Sequence, residues 1–233
     1  MKNLKDSLEK VNWHENINSF LLNEQSAKTI DQCAHRIAIW SKQFEETDRN
    51  NPALCFIREM QLGAQNLVAL TALGLYKPAA STIRTILETA LYYTYFRSHP
   101  VELSSLLREK KYYITKENIL EYHKLHTENF RSVQEKIGLI TLIEEVYKKL
   151  SAITHGQIPG VWSGAVALKD TKYTQDLCAD VSKTFEDTEE SVHMLFLCTS
   201  GKDLWDSMSS SAKKALLKGI PGETKNLLRL DAN

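Results

Sequence analysis

The chain reads as an all-α protein, a single bundle of about seven to nine helices, and three observations carry that reading. Gly at 9 and Pro at 5 of 233 residues are both scarce, so few positions force the backbone out of a helix. Apolar residues recur at three- and four-residue intervals over at least six segments, which is the period of an amphipathic helix. Cap and breaker residues fall between those segments more than inside them.

The elements follow in chain order. Leu4, Leu8, Val11, Ile17, Phe20 and Leu21 place a first helix over 4–23, and Ile30, Ala34, Ile37 and Trp40 a second over 26–46. Asp48-Arg-Asn-Asn-Pro52 combines cap and breaker chemistry, after which 53–75 is a long apolar helix that tolerates Gly63. Tyr76-Lys-Pro78 is a short break, and 79–97 is the next apolar helix; two long helices joined this tightly predict an antiparallel hairpin. Residues 101–131 turn polar and read as one or two exposed helices. Val133, Ile137, Ile140, Ile143, Val146, Tyr147 and Leu150 restore a stripe over 133–155, which Gly156 stops. The stretch 156–174, with Gly156, Pro159, Gly160 and Gly164, has no helical period and is long for a connection, as lids and binding loops are. A helix over 176–199 continues or kinks at Gly201 toward Leu204-Trp205, and a basic one over 210–218 ends at Gly219-Ile-Pro-Gly222. A short tail carries Leu227, Leu228 and Leu230. The expected organisation is one domain: a helical extension over 1–50, a core over 53–200, and a last helix and tail over 201–233.

Lys plus Arg and Asp plus Glu balance at 29 each, so no whole-protein field draws a polyanion or an anionic membrane, and nucleic-acid contact has to be local. Cys33, Cys55, Cys178 and Cys198 form no Cys-x-x-Cys pair and read as thiols of a reducing compartment. No apolar run has membrane-spanning length and the start has no signal-peptide core, which places the protein in the cytosol, off the membrane. Phosphate-cradling, dinucleotide-binding, His-Glu-x-x-His and Gly-x-Ser-x-Gly motifs are absent, which removes most familiar enzyme classes and implies no cofactor.

Two polar stripes remain. Arg84 and Glu88 lie four apart at the edge of the apolar face Ala80, Ile83, Leu87 and Leu91, and Tyr92 and Tyr95 extend that edge. They form either a structural ion pair or a guanidinium oriented by a carboxylate toward an anionic substrate. Tyr147, Ser151 and His155 recur every four residues beside the face of helix 133–155. His155, at the helix end, either caps the last carbonyls or transfers protons. His123 and His126 with Glu121 make a weaker metal pattern that lacks a third ligand at fixed spacing. Arg108-Glu-Lys-Lys-Tyr-Tyr113 and Lys213, Lys214 and Lys218 either touch phosphates and bases or are solvated helix faces. Packing the two apolar faces together predicts that Arg84, Glu88 and His155 meet in one cluster.

These residues resemble a group of bacterial helical proteins similar to distant members of the HEPN superfamily. The likeness rests on Arg84-x-x-x-Glu88, on Pro100-Val-Glu102, and on Leu150-Ser151-Ala-Ile-Thr-His155-Gly156, and it spans roughly 53–200. It implies an α-helical core, a homodimer, and a place in defence or toxin systems, where such proteins cleave RNA without metal or act as silent partners. The superfamily's usual Arg followed four to six residues later by His is absent, so the resemblance requires a pair assembled from two helices. On that basis His155, Arg84 and Glu88 are the expected catalytic residues. Ser151, Tyr147 and Tyr92 are the expected substrate-binding ones, with RNA as substrate. The alternative is a non-catalytic helical module that dimerises or binds a protein of the same defence system.

Overall fold

The computed structural model describes residues 2–163, 165 and 167–230. Among them the chain forms thirteen α-helices and no strand: α1 Lys2–Glu9, α2 Trp13–Leu22, α3 Glu24–Thr47, α4 Leu54–Ala72, α5 Tyr76–Phe96, α6 Pro100–Arg108, α7 Lys116–His126, α8 Phe130–Ile137, α9 Leu139–Thr154, α10 Gln175–Thr199, α11 Gly201–Ser207, α12 Ser210–Leu216 and α13 Gly222–Leu228. The all-α reading holds, and the count of seven to nine is too low.

Part of the excess comes from caps that a hydrophobic stripe runs through without registering, and α13 forms in the stretch expected as a tail. The stripe over 4–23 is two helices, because the Asn12 side chain accepts the amide of Glu15 at 3.0 Å and starts α2 afresh. Asn23 then ends α2 and begins α3: its amide donates to Phe20 and Ser19 carbonyls while its side chain accepts from Ser26. Likewise 133–155 is divided by Gly138, whose φ of 69° lies in the left-handed region that ends α8 and sets the entry to α9. Gly201, with φ 71°, separates α11 from α10 in the same way. Helix α5 starts at Tyr76, before the expected 79, because Pro78 sits in its first turn, where amides have no intrahelical acceptor anyway.

Five long helices, α3, α4, α5, α9 and α10, make the core, with α5 packed against α4, α9 and α10. Ile37 and Trp40 of α3, Met60 and Leu67 of α4, Ile83 and Leu87 of α5, Ile143 and Leu150 of α9, and Phe185 and Leu195 of α10 are all buried. Trp40, Phe44, Tyr93 and Phe196 interlock at its centre, with Phe44 4.7 Å from Tyr93 and 5.0 Å edge-on from Phe196. The expected α4–α5 hairpin is present, and Gly63 permits it: a Cβ there would lie 2.9 Å from Ile86 Cγ1.

The long connection after His155 is pinned rather than loose where it is described. Trp162, with φ 57° and a buried ring, donates its indole N–H to Asp180 of α10, and Asp180 also pairs with Lys149 of α9 at 2.8 Å. Residues Leu168–Asp170 form a single 3₁₀ turn, and Gly164 lies outside the described residues. No helix among the described residues is long and apolar enough to cross a membrane.

Candidate functional site

Helices α5 and α9 pack side by side, so the polar borders of their apolar faces meet. Arg84 sits at that seam and donates three ways. Its Nε bonds Glu88 Oε1 at 3.0 Å, its Nη2 bonds the Tyr147 hydroxyl at 2.9 Å, and its Nη1 lies 2.7 Å from His155 Nε2. Tyr147 closes the ring by donating its own hydroxyl to Glu88 Oε1 at 3.0 Å. The expected meeting of Arg84, Glu88 and His155 therefore occurs, across a sequence separation of 71 residues.

The tautomer of His155 follows from its neighbour. A guanidinium has only donors, so Nε2 accepts, and the neutral imidazole carries its proton on Nδ1. His155 is exposed to solvent, whereas Arg84 and Glu88 are half-buried. Burial opposes the Arg84 charge, yet the Glu88 carboxylate and the Tyr147 hydroxyl together hold its pKa above the ordinary arginine value. Three of the five guanidinium N–H groups are engaged in these bonds, leaving one on each terminal nitrogen.

His155 is also the C-cap of α9, through its backbone amide, which bonds the Ser151 carbonyl at 2.9 Å. Its ring goes to Arg84 rather than to the last carbonyls. Ser151 reaches the cluster only by that carbonyl: its hydroxyl is sealed from solvent and bonds no group among the described residues. Tyr92 stands half-buried on α5, one turn beyond Glu88, with its ring 5.4 Å from Phe56. Burial, then the nearby Glu88 carboxylate, raises its hydroxyl pKa.

A cleft of about 330 Å³ opens beside the cluster, walled by Arg84, Glu88, Tyr92, Tyr113, Lys116 and Tyr147. Tyr113 comes from the basic-aromatic run 108–113. Lys116 carried no sequence signal of its own; it opens α7, which the Thr115 side chain caps on the Asn118 amide at 3.2 Å. The Lys116 ammonium lies 5.4 Å from the Tyr147 ring centroid, and Arg84 lies 5.0 Å from it.

Other candidates separate from this site. His123 is buried, bonding Thr94 at 3.0 Å and Thr127 at 2.8 Å, and no trio of metal-ligating side chains forms among the described residues. Lys213 is buried while Lys214 and Lys218 are exposed, so the three late lysines do not all reach solvent. A second network had no sign in the sequence: Arg36 of α3 grips the fully buried Glu189 of α10 and reaches Glu190 at 3.1 Å. Burial raises the Glu189 carboxyl to about 7 against the pull of Arg36. Those partners are 153 residues apart, and no local spacing connects them.

No protein-family model, curated protein or solved structure matches the chain.

Proposed function

We propose that the chain is an RNA-cleaving protein of bacterial defence or toxin type, working without metal through His155 and Arg84. The observation that carries the reading is a solvent-open imidazole held against a guanidinium that has N–H groups to spare. Those are the parts that internal phosphodiester transfer needs: a positioned proton acceptor and a fixed positive charge for the phosphate. The resemblance to HEPN proteins supplies RNA as the substrate and a homodimer, alone or with a partner protein of the same system, as the working form.

The step balances within the substrate and His155. Arg84 turns its Nη1 from His155 to a non-bridging phosphate oxygen, which frees the imidazole lone pair. Nε2 takes the proton of a ribose 2′-hydroxyl, the 2′-oxygen bonds phosphorus, and the bond to the 5′-oxygen breaks with its electron pair. That oxygen takes the proton back from the imidazolium. The products are a 2′,3′-cyclic phosphate and a 5′-hydroxyl, and His155 returns neutral. Glu88 and Tyr147 keep Arg84 oriented, through the bonds to Nε and Nη2.

End-group analysis tests the chemistry. Single-stranded RNA incubated with the protein and EDTA is expected to yield cyclic-phosphate and 5′-hydroxyl ends, and a 2′-O-methyl residue is expected to block the cut on its 3′ side. Ends bearing a 5′-phosphate, or cleavage through a 2′-O-methyl site, would exclude His155 as the base in this step.

One observation favours the second reading, a non-catalytic module. Arg84 donates to the very nitrogen that has to accept a proton, so His155 is already tied to the Arg84–Glu88–Tyr147 ring with no substrate present. In that case the ring joins α5 to α9, and the protein's task is assembly.

A further inference from the structure

We propose that the cleft beside Arg84 is a subsite for one unpaired nucleotide, whose base stacks on Tyr113 and whose phosphate lies between Arg84 and Lys116. The assignment rests on the phosphodiester reading of the Arg84–His155 pair and extends it to substrate selection. At about 330 Å³ the cleft is at the small end of ligand pockets, the size of one nucleotide rather than a strand.

Its three tyrosines are not equivalent. The Tyr147 ring already has two cations on it, Arg84 and Lys116. The Tyr92 ring packs on Phe56 and Phe96, and its hydroxyl makes no bond among the described residues, which leaves it to a base edge or a ribose. Tyr113 alone offers a ring, 73% exposed at the cleft wall, in the segment between α6 and α7. An open aromatic face at a polar cleft is what base stacking uses, and stacking tolerates any base because each has a π-face.

The charges select a single phosphodiester over a long polyanion. Arg84 and Lys116 are balanced by Glu88 and Glu117, the last paired with Lys116 at 2.7 Å, so the cleft has no net positive field. What it offers instead is directed donors. Two guanidinium N–H groups remain, and the Lys116 side chain, only 10% exposed, is already stripped of most of its water. The N-cap Thr115 also lines the cleft, which puts the positive end of the α7 dipole there. A base inside a duplex has no free face for Tyr113, so the subsite reads single strands.

Titration of the full chain with a 2′-O-methyl diribonucleotide, which keeps the phosphodiester but cannot be cut, separates this subsite from the cleavage chemistry. Tyr113→Ala is expected to weaken binding roughly 5- to 150-fold, the range of one lost stack. Tyr113→Phe is expected to bind within about twofold of wild type, and Lys116→Gln to bind more weakly. Tyr113 is exposed, so its replacement leaves the fold intact. Equal affinity of Tyr113→Ala and wild type, or no binding by wild type at millimolar dinucleotide, overturns the subsite. Binding that depends on Tyr113 in a protein that cuts no RNA leaves the subsite standing and removes the cleavage reading; cleavage with Tyr113-independent binding does the reverse.

Discussion

Two histidines show how position decides chemistry. His155 stands in solvent with Nε2 against Arg84, whereas His123 is enclosed between two threonines. The Thr94 hydroxyl donates to the Leu91 carbonyl at 2.8 Å, so its oxygen accepts from His123 Nε2, and Nδ1 accepts from Thr127. Burial, helped by His99 and Arg97, depresses the His123 pKa to about 4. The unfolded chain binds that proton near 6.5, so between about 6.5 and 4 it holds more protons than the folded one, and stability falls as pH falls. The loss approaches about 3 kcal/mol below pH 4. Buried His193, depressed to about 3, adds to it, while Glu189, raised to about 7, acts with the opposite sign between about 4.5 and 7. The difference between wild-type and His123→Asn denaturation curves isolates the one group: it is expected to shrink on acidification below 6.5, and a pH-independent difference would show that His123 titrates normally.

At the scale of elements, the α4–α5 hairpin depends on what is missing at Gly63. Alanine there adds about 0.8–1.0 kcal/mol of helix propensity. It also drives a methyl to 2.9 Å from Ile86 Cγ1, and overpacking of this kind costs about 1–3 kcal/mol. The clash wins, so Gly63→Ala is expected to lose about 1 kcal/mol, a fall of roughly 2–4 °C in melting temperature. In an Ile86→Ala background the sign is expected to reverse, because the opposing atom is gone. Additive effects in that double-mutant cycle would show the two helices do not meet through this pair. The sequence showed Gly63 only as a tolerated break in a stripe, since the residue it accommodates lies on another helix. The long helices α3, α4, α5 and α10 were legible because each carries a sustained apolar period. The division of 4–23 and of 133–155 was not, because Asn12 and Gly138 act through cap geometry while the period continues across them.

At the scale of the molecule, the site exists because α5 and α9 share a packing seam. The two halves of the ring, Arg84 with Glu88 and Tyr147 with His155, were each visible as i,i+4 or i,i+8 positions on a helix border. Their meeting followed from the rule that borders of packed faces adjoin. The Ser151 hydroxyl was expected beside them and is sealed instead, since a spacing of four residues fixes a helix face but not which side chain turns inward. Lys116 and the cleft depend on where the polar segment 101–131 folds back, which no local pattern records. Neutral overall charge, visible from the start, agrees with a cleft whose charges cancel.

Cleavage of single-stranded RNA in EDTA by His155→Ala, relative to wild type at matched folding, bears most directly on the claim that this ring is a catalytic site. His155 is exposed, so its loss is expected to change the melting temperature by no more than about 2 °C. The cleavage rate is expected to fall on the order of 10²- to 10⁴-fold, the contribution of a positioned acid–base group. A variant that cuts RNA within a few-fold of wild type, or loses cleavage only with several degrees of melting temperature, would mark His155 as a strut between α5 and α9.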